Sequence, residues 1–174
     1  MFGPKLIVGF DKGKGDGLIE LELGILKDED AAVKQFSEWI NDNRIRFYML
    51  MQYPATISQE KEWVKNAAEN RNSITWGIYA NGNLVGSIGI EGINFSHNHA
   101  ELGILIGAKD WWGKGIATAA EMIVTEYAFN NIVPGGLNKL FARVIVGNTA
   151  SQKALQNVGF NDAGILRKHH ISNG

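Results

Sequence analysis

The chain has 174 residues, a net charge of −1 and no cysteine. That length suits one domain with a full core, the near-neutral charge gives nucleic acid no footing, and the missing cysteines exclude disulfides, a thiolate nucleophile and thiolate metal sites. No apolar run reaches the roughly 20 residues of a membrane-spanning helix, and Lys5–Phe10 is too short for a secretory h-region, so a cytoplasmic protein is expected.

Residues 1–17 are expected to be an N-terminal lead-in, a short strand at Leu6–Phe10 followed by a flexible glycine-rich turn, with residues 18–174 as a single domain. Leu18–Leu26 alternates as a strand, with Glu20 and Glu22 on its polar side. After Asp28 the apolar stripe Ala32, Val33, Phe36, Trp39 and Ile40 predicts a helix, whereas Arg44–Met51 gives no clear signal. Ser58 reads as the cap of a second helix from Gln59 to about Glu69. Ile74–Ala80 and Leu84–Glu91 flank Asn81-Gly82, the dipeptide of a tight two-residue hairpin. Gly92–Asn98 is the next turn, and Ala100–Ile106 a further strand with Leu102, Ile104 and Ile106 on one side and Glu101, Gly103 and Leu105 on the other. From Ile116 the spacing turns helical through Ala119, Ala120, Ile123, Val124, Tyr127 and Ala128. Leu140–Val146 reads as a strand, and Ala150–Val158 as a helix capped by Asn148 or Thr149 and closed at Gly159. Ala163–Ile171 reads as a strand, and Asn173-Gly174 is a hairpin dipeptide with no partner behind it.

The chemistry concentrates where the strand ending at Ile106 meets the helix starting at Ile116. Glycines at such a junction leave backbone N–H groups uncovered at the positive end of the helix dipole, which makes an anion site. Lys114 adds a mobile positive charge. A P-loop is excluded, because Gly-Lys-Gly-Ile stands where Gly-Lys-Ser/Thr is required, and a dinucleotide fingerprint lacks its third glycine. A glycine turn that only fits helix to strand is the bland alternative.

The opening Gly-x-Gly-x-Ala of this helix, followed by a strand, Asn148, Ser151 and Gly159-Phe160, resembles the GNAT superfamily of acetyl-CoA-dependent N-acetyltransferases. Trp112–Thr118 and the Asn-x-x-Ser-Gln spacing are similar to its RimJ/RimL branch, which acetylates protein N-termini. The resemblance covers Leu18 to Gly174. It implies an α+β fold (α/β in three layers), a mixed central sheet flanked by helices, with the last strand missing from this chain.

The resemblance further implies acetyl-CoA as cosubstrate and no metal. The diphosphate is expected on the N–H groups around Gly113, Lys114, Gly115, Ile116 and Ala117, with Trp112 standing where the family usually has Gln or Arg. The pantetheine arm is expected to pair like an added strand along Ile104, Leu105 and Ile106. Asn148 would contact the same arm, or serve only as a helix cap. Removing a proton from the acceptor ammonium needs a base. Glu101 matches the family's carboxylate position and His170 is the second candidate, each set against a reading as an ordinary surface or salt-bridged group. Leu155 stands where much of the superfamily has a tyrosine acid, which leaves Ser151 to hydrogen-bond the sulfur or merely to admit the cofactor. His97 and His99 read as turn residues rather than a metal pair. The expected acceptor is a protein N-terminal α-amine. The alternatives are a polyamine or other small amine, whose enzyme would gather carboxylates such as Glu20, Glu22, Asp28, Glu29 and Asp30, and a CoA-binding module without turnover. Neither nucleic acid nor membrane is an expected partner. An unpaired strand edge at the C-terminus leaves a homodimer open.

Overall fold

The computed structural model describes residues 1–11, 17–26, 29–49 and 53–169. Six strands form one sheet in sequence order: β1 (Leu6–Asp11), β2 (Leu18–Gly24), β3 (Ile74–Ala80), β4 (Asn83–Asn94), β5 (His99–Ile106) and β6 (Lys139–Phe141). Every neighbouring pair is antiparallel except β5 and β6. A parallel pair needs a crossover, here the helix α4 (Ile116–Asn131). The other helices are α1 (Glu29–Asn41), α2 (Asn43–Arg46), α3 (Ile57–Glu69) and α5 (Thr149–Val158).

Alternation along the strands sends side chains into two cores. Ala100 and Leu102 of β5 join Trp76, Ile78, Ile88 and Ile90 in the larger core, into which α4 presses Ile116, Ala120, Val124 and Ala128. Leu105 points the other way, onto the smaller core that Ala32, Val33, Phe36 and Val64 of α1 and α3 build with Leu26. The sheet is therefore covered on both faces, with α1 and α3 opposite α4. Local chemistry fixes several joints. The Asn81-Gly82 turn takes positive φ at both residues, 49° and 80°, as a two-residue hairpin requires. Gly159 closes α5 in the left-handed region at φ 103°.

Four sequence expectations are corrected. The cap of α3 is Thr56, not Ser58: its hydroxyl accepts from the Gln59 N–H and the Gln59 side chain accepts from the Thr56 N–H, a full capping box. Thr56→Ala is expected to cost about 1 kcal/mol and to lower Tm by roughly 2–4 °C, read by a thermal melt. β4 runs on to Asn94 through an irregularity between Glu91 and Asn94, so the turn shrinks to Phe95–Asn98. β6 covers Lys139–Phe141 rather than Leu140–Val146; from Ala142 the chain leaves β5, with Ala142 and Val144 packing on the larger core without ladder bonds. The expected strand at Ala163–Ile171 is absent over residues 163–169, where Ile165 and Leu166 are exposed and no strand among the described residues offers a face to bury them. Its last two residues and Asn173-Gly174 lie outside the described residues. Arg44–Met51, unclear from sequence, contains α2, capped by Asp42.

Candidate active site

The strands β5 and β6 pair only from His99↔Lys139 to Glu101↔Phe141. Among the described residues β5 then continues to Ile106 alone on that side, so the sheet splits beside Leu102–Ile106. Backbone polar groups on such an edge seek a partner. Ile104 and Ile106 anchor their side chains in the larger core and Leu105 in the smaller one, which holds this stretch of backbone in place. One polar group is already engaged: the Trp112 indole N–H donates to the Ile106 carbonyl at 2.7 Å. An arm paired along this edge must displace Trp112 or stop short of that carbonyl.

A short 3-10 turn at Lys109–Trp111 carries the chain from β5 to the start of α4. Gly113 (φ 70°) and Gly115 (φ 80°) both sit in the left-handed region, where glycine alone is unstrained. Gly115 is the N-cap of α4 and gives it no side-chain cap, so the amides that open the helix keep their donors for another acceptor. A Cβ at Gly113 would meet nothing within 4 Å, so the loop is open on that side. Ile116 is buried and Ala117 half-buried, which fixes the first turn against the core. Lys114 lies back on the Trp111 ring, its Nζ 4.8 Å from the centroid. Lys109 is engaged with the Asp42 carboxylate, and this hydrogen bond, ahead of the other influences, holds Asp42 below the usual carboxylate range. These residues fit a diphosphate: bare backbone donors, one helix dipole and one side-chain cation within reach.

A family model described as an acetyltransferase (GNAT) domain matches residues 20–161. The chain belongs to the GNAT acetyltransferases. YoaA of Bacillus subtilis (strain 168), an N-acetyltransferase by name, is 30% identical over 154 residues, covering 86% of this chain and 84% of its own. YdaF of the same organism, provisionally named a ribosomal N-acetyltransferase, is 28% identical over 162 residues, covering 88% and 85%. Among solved structures, a spermidine N-acetyltransferase from Vibrio cholerae in complex with CoA and spermine superposes with a TM-score of 0.77 at 23% identity, covering 88% of each chain, a likeness of fold. This GNAT domain is thus an N-acetyltransferase with acetyl-CoA as its acyl donor.

The other expected site residues divide. Asn148 caps α5, its side-chain oxygen accepting from the Ser151 N–H at 3.3 Å. Ser151 sits half-buried in the first turn of that helix, and Leu155, one turn on, is buried in the larger core. Glu101 is not an open carboxylate. Arg143 grips it with a two-pronged fork, Nε to Oε1 at 2.7 Å and Nη2 to Oε2 at 2.8 Å. His170 lies outside the described residues, and His97 and His99 stack with ring centroids 6.3 Å apart.

Two residues of this GNAT domain escaped the sequence reading. Arg143 lies two positions past Phe141, the last residue of β6 and the partner of Glu101, and the chain leaving β5 there carries its guanidinium onto Glu101. Glu91 stands directly opposite Glu101 in the antiparallel β4–β5 register, on the same face. No motif signals either: Glu91 follows from the β4–β5 register, and Arg143 from the path of the chain just beyond β6.

Proposed function

We propose that this N-acetyltransferase acts on the α-amine at a protein or peptide N-terminus, in the cytoplasm. The observation that carries the choice of acceptor is the lining of the cleft between α3 and the sheet, about 300 Å³ in volume. Asn66, Asn70, Ser73 and Thr75 offer it neutral donors and acceptors, and Glu91 is its one carboxylate. Peptide amides beyond an N-terminus match such a wall. A polyamine, with several cations, needs several carboxylates. Of the acidic residues named for that role, Glu22 bridges Lys5 at 3.3 Å, Asp30 bridges Lys61 at 3.2 Å, Glu20 is exposed on β2 and Glu29 opens α1, none of them lining this cleft, while Asp28 lies outside the described residues. An α-amine also titrates near pH 8, about two units below a lysine side chain, so less is asked of the base.

In this reading the amides around Gly113, Lys114, Gly115, Ile116 and Ala117 hold the diphosphate, and the outer edge of β5 from Ile104 to Ile106 receives the pantetheine arm. Trp112 swings off the Ile106 carbonyl to admit it. Ser151 and Asn148 face the same arm from α5, with Ser151 as the donor to the sulfur. A homodimer joined at the sheet edge belongs to the same reading and is checked by sedimentation.

The test is thiol release from acetyl-CoA with a panel of N-terminal peptides and with spermidine. Peptides are expected to exceed spermidine by at least about tenfold in kcat/KM, a difference of about 1.4 kcal/mol in transition-state stabilisation. A preference for spermidine would reverse the choice of acceptor, and tight CoA binding without acceptor-dependent thiol would leave a binding module.

A further inference from the structure

We propose that Glu91, rather than Glu101, is the general base that takes the acceptor's proton, and that Arg143 withdraws Glu101 from that role. The inference rests on the acetyl-transfer reading above.

The geometry begins with two carboxylates placed face to face across β4 and β5. Two like charges so close oppose each other's ionisation unless one is neutralised. Arg143 neutralises one. Both Glu101 oxygens are filled by its fork, the strongest arrangement a guanidinium makes with a carboxylate. Taking up a proton there would weaken two charge-assisted bonds. Glu91 has no hydrogen bond or ion pair among the described residues.

Its position is also the better one. Gly89 and Gly103 face each other on the same two strands, leaving a patch with no side chains, and Glu91 folds over it. A Cβ at Gly103 would stand 3.8 Å from the Glu91 Oε1, and one at Gly89 would stand 3.9 Å from its Cγ. Gly103 lies just past Glu101, where β6 has parted from β5, so the carboxylate hangs at the mouth of the split that receives the acyl group. From the other direction Glu91 lines the proposed acceptor cleft. The walls that face it there, Trp63, Asn66 and Ala67 of α3 with Asn70, Ser73 and Thr75, carry neutral side chains, and the chain's own Met1 ammonium is bonded to the carbonyls of Ala67, Asn70 and Ser73 on them. The charged neighbours of Glu91 are Glu101 and Arg143. Glu91 is exposed at the surface of β4, and partial desolvation, first, and the Glu101 charge, second, push its carboxyl above the ordinary value, with Arg143 pulling the other way. A carboxyl raised above its ordinary value gains proton affinity, which general-base work requires.

The proton count closes. Glu91 takes the first ammonium proton, and the nitrogen lone pair forms the C–N bond as the C–S bond breaks. The departing sulfur keeps the electron pair and receives a second proton, the third stays on the amide, and Glu91 returns its own to solvent.

The experiment compares Glu91→Gln, Glu101→Gln and wild type for kcat and KM from pH 5.5 to 9, with acetyl-CoA and the best peptide of the panel. CoA affinity and Tm serve as checks on folding. Glu91→Gln is expected to lower kcat by about 100-fold or more, to leave CoA affinity unchanged and to erase the acidic limb of the kcat profile. Glu101→Gln is expected to keep that limb and lose less than tenfold. An acidic limb that survives in Glu91→Gln, or vanishes in Glu101→Gln instead, overturns the assignment while the transferase reading stands. Wild type without thiol release for any amine overturns both.

Discussion

Gly115→Val is expected to weaken CoA binding by about 100-fold or more, equivalent to about 2.7 kcal/mol. Gly115 caps α4 at φ 80° and ψ 0°. A β-branched residue held there costs on the order of 1–3 kcal/mol of backbone strain, because its Cβ crowds the adjoining carbonyl. The added Cβ would also lie 3.4 Å from the Phe10 ring, which already closes that side. The chain relieves both by turning the peptide planes on either side of residue 115. Those planes carry the N–H groups that the diphosphate needs, so relief of strain and loss of the anion site are one event. Isothermal titration with CoA reads the affinity, and a thermal melt confirms that the variant is folded. Wild-type affinity in a folded Gly115→Val protein would remove the junction from the binding site and, with it, the proposed placement of the acyl group.

That junction was legible because its determinants lie within a few residues of one another. A period-two run, two glycines and a period-3.6 run specify a strand, an uncapped turn and a helix with no information from elsewhere in the chain. The same holds for Asn81-Gly82 and for Gly159. Legibility failed where the outcome depends on pairing between distant segments. Leu140–Val146 reads as a strand in the sequence, yet only Leu140 and Phe141 of it keep ladder positions because its continuation parts from β5. Glu101 reads as a catalytic, solvated or salt-bridged strand carboxylate, and the choice is made only when the chain beyond β6 brings Arg143 onto it. The Arg143 fork and the Glu91–Glu101 pair are therefore properties of the assembled sheet. Ile165 and Leu166 alternate toward a neighbour that the described residues do not provide. The helix cap at Thr56 rather than Ser58 is a subtler miss: Ser58 precedes an acidic turn, but Gln59 stands three residues after Thr56 and answers it as a capping box. Glu121 marks a different limit, since a charged residue beside an apolar stripe is ordinarily read as solvated.

Glu121→Met is expected to stabilise the protein, and by more at pH 8 than at pH 5. Glu121 is fully buried in α4, while Met122, the next residue, is half exposed. Among the described residues neither of its carboxyl oxygens has a hydrogen-bond partner, and neither does the buried Thr125 hydroxyl one turn along. A buried polar group without a partner costs about 1–3 kcal/mol, and an ionised one more. Burial accordingly pushes the Glu121 carboxyl from 4.5 up to about 8. Because the folded value lies above the unfolded one, the fold favours the protonated acid. The stability this confers is fully present below pH 4.5 and is lost as pH rises toward 8, at up to about 1.4 kcal/mol per pH unit. Methionine has a similar length, no charge and a flexible stem that fills irregular space. At pH 8 the variant is expected to melt roughly 4–8 °C above wild type, and at pH 5 the gap should narrow. Taking the difference between the two proteins cancels Glu60 and Glu91, whose carboxyls burial also raises. Melts that run parallel from pH 5 to 8 would show that the Glu121 carboxyl is solvated after all. A variant less stable than wild type at every pH would mean that the carboxyl has a bonding partner holding α4 in place.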